Sequence, residues 1–214
     1  MTGGGKTIFV VITNRALCKE DFLTRIEKIA RGKPDRIVLR EKQIGQEEYE
    51  QLAATCLEIC KRYDVELWAN TAIDAAKHVG IQKIQLPFSV FEEKRKMLHS
   101  FDRIGVSIHS KEEAVAAREL GADELTAGHI YETSCKSGLA PRGLQFLKEI
   151  SLAAKLPVNA VGGITPDRVD EILQAGASGI CVMSSLMQCE DPERLTKIYQ
   201  SKIKKALSKG KANL

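Results

Sequence analysis

Eight short apolar runs alternate with segments of helical periodicity, and this alternation constrains the fold more than any other feature of the sequence. The runs occupy residues 8–13, 36–42, 66–70, 83–87, 103–109, 124–127, 157–161 and 179–183. Strict strand–helix alternation predicts a parallel sheet. Eight repeats without a break in composition predict a single (β/α)8 TIM barrel domain over residues 1–214. The alternative is an open flavodoxin-like or Rossmann sheet, but no GxGxxG follows the first run.

Helix signals lie between the predicted strands. Segments 21–31 and 46–63 carry apolar residues along one helical stripe. Ser110 and Glu113 form a capping-box pattern at the start of another helix, and Pro166 occupies an N1-like position. Further helices are predicted at 73–79, 89–98, 144–154 and 191–206. These segments supply the crossovers that a parallel barrel requires.

Charge and hydropathy exclude several classes of protein. The net charge is only +4, and many of the lysines lie near the C-terminus, at Lys202, Lys204, Lys205, Lys209 and Lys211. A solvated helix end explains this cluster better than a nucleic-acid site, so no nucleic-acid partner is expected. No run approaches the roughly 20 apolar residues of a membrane span, so no membrane partner is expected either. The N-terminus lacks the order of charges and apolar residues that marks a signal peptide.

The six cysteines are scattered and show no CxxC pairing. A chain of this size does not need disulfides for stability, so the cysteines predict a reduced, cytoplasmic protein. Cys56 and Cys60 share a helix face and could bind a metal, but small buried residues are the favoured interpretation.

Polar side chains cluster where the predicted strands end. In a (β/α)8 barrel the active site lies at the carboxyl ends of the strands. Arg40 and Lys42 end the second strand and share one strand face, because they are two residues apart. The other polar ends are Asn70 on the third strand, Ser107 and His109 on the fifth, and His129 after the sixth. The alternative explanation for each pair is that the strand end is simply exposed to solvent. This explanation becomes weaker because several strands end in polar residues at the same side of the barrel.

The ends of the last two strands predict a phosphate site. Loops after strands 7 and 8 of such barrels often bind phosphate. Gly162 and Gly163 let an anion approach the backbone closely, although glycines also serve tight turns. Met183, Ser184 and Ser185 offer N–H groups and hydroxyls on the neighbouring strand. Arg40, Lys42 and Lys136 would add positive charge for an anionic substrate.

The densest polar stretch is the loop at residues 128–138, which contains an imidazole, a carboxylate, hydroxyls, a thiol and an ammonium. His129 is the candidate catalytic residue, because an imidazole can move protons near neutral pH. The alternative is a structural histidine that bonds the loop backbone. No HExxH or HxxxH motif and no acidic pair at the strand ends is visible, so no metal site and no cofactor are expected.

Several short motifs resemble the thiamine phosphate synthase/TenI superfamily, in order, over about residues 8–205. They are Arg40-Glu-Lys42, Trp68-Ala-Asn70, Gly105-Val-Ser-Ile-His109, Gly128-His-Ile-Tyr, Thr133 to Lys136, Gly162-Gly-Ile-Thr165 and Val182-Met-Ser184. The resemblance implies a (β/α)8 barrel that binds a thiazole phosphate as its small-molecule partner. It also implies phosphate contacts from Gly162, Gly163 and the Ser184 region, and substrate contacts from Arg40, Lys42, Ser107, Thr133 and Lys136.

Departures from the synthase pattern favour the TenI branch, the thiazole tautomerases. Synthases normally have Asn-Asp after the third strand, and this chain has Asn70-Thr71. The fourth strand and its loop, residues 85–91, carry no acid, so both carboxylates that would hold Mg²⁺ are missing. The string from Gly128 through Lys136 resembles the TenI pattern.

The sequence therefore predicts a metal-independent thiazole tautomerase, in which His129 moves a proton and aromatises a thiazole carboxylate phosphate. Arg40, Lys42 and His109 would hold the carboxylate, and His109 is the other candidate base. The first alternative is a thiamine phosphate synthase with an unusual Mg²⁺ site, and the second is a non-catalytic regulatory barrel. The sequence is compatible with either a monomer or a homo-oligomer.

Overall fold

The structure is a computed structural model that describes residues 7–136 and 138–212, with side chains described through Lys209. Its eight strands are β1 Ile8–Ile12, β2 Arg36–Leu39, β3 Glu66–Asn70, β4 Lys83–Pro87, β5 Arg103–Ile108, β6 Glu124–Gly128, β7 Val158–Val161 and β8 Gly179–Val182. All neighbours pair in parallel, and β8 returns to β1 with Ile8 opposite Gly179, which closes the barrel. The predicted (β/α)8 fold is confirmed.

Helices follow the strands and pack on the outside of the barrel. They are α1 Phe22–Arg31, α2 Gln46–Tyr63, α3 Ile73–Val79, α4 Phe88–Lys94, α5 Lys111–Glu119, α6 Gly143–Ala154, α7 Val169–Gln174, α8 Ser184–Gln188 and α9 Pro192–Ala212. Short 3₁₀ turns occupy Arg15–Leu17, Arg95–Met97, Ser134–Lys136 and Pro166–Arg168. None of the described helices is long and apolar enough to cross a bilayer.

The predicted caps form largely as expected. The Ser110 hydroxyl accepts a hydrogen bond from the Glu113 N–H at 3.1 Å. The Glu113 carboxylate returns to the backbone one residue earlier than a capping box requires, where it accepts from the His109 N–H at 2.6 Å. This bond ties the polar end of β5 to the start of α5. Pro166 lies in the first turn of its 3₁₀ helix, as predicted.

The predicted end of β2 is wrong, whereas the other seven strands end within one residue of the prediction. β2 ends at Leu39 rather than at residue 42, because side chains form the hydrogen bonds to the backbone groups at its end. The Tyr49 hydroxyl donates to the Leu39 carbonyl at 2.8 Å, and the Arg40 N–H donates to the Thr13 hydroxyl at 2.9 Å. Arg40 and Lys42 therefore do not share a strand face.

Ser184 and Ser185 lie beyond the end of β8 at Val182. They begin the short helix α8, which the sequence analysis did not predict.

Apolar packing is concentrated between the strands and the helices, where Cys56 and Cys60 are both fully buried. Burial raises the pKa of the Cys60 thiol to about 12, so this thiol stays protonated at neutral pH. The interpretation of both cysteines as small core residues is confirmed. All six cysteines are free thiols.

Two C-terminal lysines of α9 contact acids in the helical segment that follows β7. Lys202 pairs with Asp167 at 2.7 Å, and Lys209 pairs with Asp170 at 2.6 Å. These exposed ion pairs contribute little to stability individually, but they account for part of the basic cluster as a helix surface.

Candidate active site

A cavity of about 600 Å³ opens at the carboxyl ends of the strands. Every predicted site residue lines this one cavity: Arg40, Lys42, Asn70, Ser107, His109, His129, Thr133, Lys136, Gly162, Gly163, Met183, Ser184 and Ser185. The parallel sheet brings them together because all strand ends meet at one rim. Their individual roles stay predictions.

The floor of the cavity is a polar layer inside the barrel. Arg36 and Glu124 are 4% and 1% exposed and form a two-point ion pair, with Arg36 Nη1 at 2.5 Å from Glu124 Oε1. Arg103 and Asn159 also donate to the Glu124 carboxylate, each at 3.0 Å. The Arg36 guanidinium stacks on Trp68, 3.5 Å from the ring centroid. The Glu124 carboxylate is thereby paired, as a buried charge requires, whereas Arg36 Nε and Asn159 Oδ1 are buried without a hydrogen-bond partner among the described residues.

His129 lies in a backbone segment that is held on two sides. The N–H of Ile130 donates to Val161 at 2.9 Å, and the N–H of Arg142 donates to the His129 carbonyl at 3.0 Å. His129 is 8% exposed, and Nε2 of its imidazole lies 3.2 Å from the Leu139 carbonyl. When Nε2 carries the proton of a neutral ring, it donates to Leu139, and Nδ1 keeps the lone pair. His129 therefore has the structural role that was considered as the alternative, a hydrogen bond to the loop backbone. This bond uses Nε2 and leaves Nδ1 available to accept a proton.

Gly162 and Gly163 allow the loop after β7 to pack directly under the His129 segment. Both have positive φ values, +100° and +63°, which favour glycine. A Cβ on Gly162 would lie 2.4 Å from the Cβ of His129, and one on Gly163 would lie 2.4 Å from the Glu132 carbonyl oxygen. Close packing alone accounts for the need for glycine at these two positions, without any ligand. The same packing places the predicted phosphate-binding loop in contact with the segment that carries His129.

Three cations lie close together on another part of the rim. The pKa of Lys42 is lowered chiefly by the positive charge of Arg40, then by burial and by Lys136. An anion beside these side chains would relieve this repulsion between like charges.

His109 lies at the same rim as these cations. Burial is the main cause that lowers its pKa below the usual 6.5; Glu113 opposes the shift, and Lys136 and Arg142 add to it. The ring is therefore neutral at pH 7 in the free protein.

Asn70 and Ser107 are joined through Gln85. The Asn70 amide donates to the Gln85 carbonyl at 3.0 Å, and the Gln85 amide donates to the Ser107 hydroxyl at 3.0 Å. Thr71 donates to the Asn70 side-chain oxygen at 3.0 Å. These bonds fix the wall formed by β3, β4 and β5.

Sequence reasoning missed several residues of the cavity lining, among them Arg36, Gln85, Thr126, Glu132, Asn159, Thr165, Arg168 and Cys181. Four of them, Arg36, Gln85, Thr126 and Asn159, are polar yet at most 5% exposed. A signal for Gln85 and Thr126 was available, because each stands two positions after another polar strand residue, Lys83 in β4 and Glu124 in β6. That period marks the inward face of a barrel that encloses polar groups.

The residues at the synthase metal position do not fit a two-carboxylate Mg²⁺ site. Asn70 ends β3 and Thr71 follows it, and Glu132 is the one carboxylate among the described residues that line the cavity. Within the described residues, no group of three or more histidine, cysteine or acidic side chains is placed to hold a metal. Mg²⁺ normally takes one or two carboxylates together with substrate phosphates, and only Glu132 is present for that role.

A family model described as thiamine monophosphate synthase (TMP-TENI) matches residues 9–186. The chain belongs to this family. The superfamily predicted from the motifs is thereby confirmed, and the family match does not specify the TenI branch.

Relatives in this family carry the synthase name. "Thiamine-phosphate synthase 2" of Streptococcus pneumoniae serotype 4 is 32% identical over 92% of this chain and 96% of the relative. "Thiamine-phosphate synthase" of Pyrococcus furiosus is 31% identical over 92% and 95%. A solved structure, "Thiamine phosphate pyrophosphorylase from Pyrococcus furiosus", has a TM-score of 0.81 at 28% identity, covering 94% and 97%. These names favour the synthase alternative over the tautomerase reading, and they support an enzyme of thiamine biosynthesis.

Proposed function

We propose that this family member is a thiazole tautomerase that aromatises a thiazole carboxylate phosphate by moving one proton. The observation that carries the proposal is the composition of the cavity rim. It combines the buried imidazole of His129 with Arg40, Lys42 and Lys136, while Glu132 is its one carboxylate within the described residues. Such a rim neutralises an anionic substrate with fixed charges and supplies a proton carrier.

The proton carrier in the proposal is His129. With Nε2 held by the Leu139 carbonyl, Nδ1 is the nitrogen that accepts a proton from the non-aromatic ring. The resulting imidazolium returns a proton to a conjugated carbon of the same substrate, and the product ring becomes aromatic. No bond to a leaving group breaks, so the reaction needs no ion to neutralise one.

The anion anchors in the proposal are divided between two regions of the rim. Arg40, Lys42 and His109 hold the carboxylate, because like-charge repulsion and burial already favour an anion beside them. The backbone of Gly162 and Gly163 holds the phosphate, together with Met183, Ser184 and Ser185. Thr133 and Lys136 approach the substrate from the loop after β6. Anchoring at both ends places the ring beside His129.

We expect an anionic ligand to raise the pKa of His109. Its negative charge would offset Lys136 and Arg142, which now lower that pKa, and would stabilise the imidazolium. Ring-nitrogen NMR across pH 4–8 would measure the shift, with and without a thiazole carboxylate. His78 serves as the reference, because it lies on α3 and pairs with Glu50 at 2.8 Å, outside the cavity. An unchanged or lowered pKa would contradict the placement of the carboxylate at His109.

The second candidate is thiamine phosphate synthase, and the names of the 31–32% identical relatives favour it. That reaction joins two phosphorylated precursors and releases pyrophosphate, which normally requires a metal ion. The poor fit of Asn70, Thr71 and Glu132 to a Mg²⁺ site argues against it here.

The experiment that separates the two follows the ultraviolet absorbance of the non-aromatic thiazole carboxylate phosphate in excess EDTA. Rapid aromatisation by the full chain supports the tautomerase. No conversion, followed by thiamine phosphate formation once Mg²⁺ and the pyrimidine pyrophosphate are supplied, would establish the synthase. Failure of both reactions would leave a ligand-binding barrel without turnover.

A further inference from the structure

Arg168 is a cavity-lining arginine that neither the motifs nor the proposed mechanism uses. It ends the 3₁₀ turn after β7, directly beyond the Gly162–Gly163 loop. Its Nη1 donates to the Gly163 carbonyl at 2.7 Å, and its guanidinium lies 4.2 Å from the centroid of the Tyr131 ring. The side chain is therefore fixed against both the phosphate loop and the segment that carries His129.

The acids nearest to Arg168 in sequence are bound to other partners. Asp167 pairs with Lys202, Asp170 pairs with Lys209, and Glu171 accepts from the Tyr131 hydroxyl at 2.6 Å. Among the described residues, no carboxylate lies within 4.0 Å of the Arg168 guanidinium. A guanidinium has five N–H donors, and here one of them is used by a backbone carbonyl. Positive charge and free donors thus remain at the cavity.

The other cavity arginines and lysines lie elsewhere. Arg36 is bound to Glu124 in the floor, whereas Arg40 and Lys42 follow β2 and Lys136 follows β6. Arg168 is the one cationic side chain among the described lining residues that comes from the β7 and β8 loops. A phosphate at these loops would meet backbone N–H groups and hydroxyls, and a single full positive charge.

We infer that Arg168 determines specificity for the phosphorylated form of the substrate. The inference rests on the proposed placement of the phosphate at Gly162 and Gly163. The guanidinium donates charge-assisted hydrogen bonds to the phosphate while its bond to Gly163 holds the loop in the binding conformation. Arg168 discriminates the phosphorylated substrate from the free alcohol, and it takes no part in proton transfer.

The test is calorimetric titration of the full chain with hydroxyethylthiazole phosphate and, separately, with hydroxyethylthiazole. We expect Arg168→Gln to weaken binding of the phosphate by about tenfold to a hundredfold, because it removes a charge-assisted contact. Binding of the alcohol should change less than about threefold, and Arg168→Lys should recover part of the loss because lysine keeps the charge. The matched control is Arg118→Gln. Arg118 also donates to a backbone carbonyl, that of Ala153, but lies on α5 outside the cavity.

Equal losses for both ligands would overturn the inference, since they would show a purely structural role. Unchanged affinity for the phosphate, or a wild-type chain that does not prefer the phosphate, would also overturn it. Thermal unfolding of each variant identifies a folding defect, and the Arg168→Lys chain then carries the comparison. Because the readout is binding, it does not depend on turnover. Absence of tautomerase activity with intact discrimination would reject the proposed reaction and retain the role of Arg168.

Discussion

His129→Asn should lower the rate of tautomerisation by about two to four orders of magnitude, the usual contribution of a positioned general acid–base group. Asparagine cannot carry a proton at neutral pH, and its amide nitrogen corresponds to Nδ1 of the ring and not to the Nε2 that bonds the Leu139 carbonyl. The loss should appear in kcat, with KM little changed, because Arg40, Lys42 and the glycine loop would still bind the anion. Stopped-flow absorbance in EDTA at pH 7.5 measures both constants.

His78→Asn is the matched control for this prediction. His78 is a histidine that hydrogen-bonds to Glu50, and its side chain is 63% exposed on α3. Its replacement should leave both constants unchanged. If His129→Asn kept the full rate, the base would lie elsewhere, and His109→Asn would be the next variant.

Glu124→Ala should destabilise the barrel by about 3–5 kcal/mol, the range for removal of one partner from a buried ion pair. The change leaves Arg36 without its two-point partner, and Arg103 and Asn159 each lose an acceptor. Desolvation is severe because Arg36 and Glu124 are at most 4% exposed. Urea unfolding at pH 7, followed by far-ultraviolet circular dichroism, measures the change in the free energy of unfolding.

Two further variants identify the cause of that loss of stability. Arg36→Met combined with Glu124→Met should recover most of the stability, since apolar replacements of a buried pair are often neutral. Glu58→Ala is the surface control, because Glu58 is 68% exposed in its pair with Lys61 and should cost less than about 0.5 kcal/mol. A double variant no more stable than Glu124→Ala would show that shape, and not unpaired charge, dominates at this layer.

The fold was predictable from sequence because each strand and helix carries its own local signal. The bounds of α2, β3, α3 and β4 agree with the prediction, since apolar periodicity and turn residues set both ends of each element. β2 was predicted too long because its end is set by Tyr49 and Thr13, residues distant in sequence that bind its last backbone groups. α8 escaped prediction because five residues are too few to show a helical period.

The site was predictable only as far as topology dictates. Closure of the barrel brings the strand ends to one rim, so residues as distant in sequence as Arg40 and Ser184 could be assigned to one cavity. The bond from His129 to Leu139 and the stacking of Arg168 on Tyr131 could not be assigned, because both depend on the path of irregular loops. Loop geometry has no sequence period that reveals which groups will meet.

The charged layer of Arg36, Glu124 and Arg103 affects how substrate enters the cavity and how product leaves it. Together with Trp68 it fills the barrel interior below the cavity, and the cavity opens at the rim formed by the strand ends. Substrate and product would therefore use the same opening. Product that is still bound in the cavity would exclude the next substrate molecule. Accumulated product should therefore act as a competitive inhibitor.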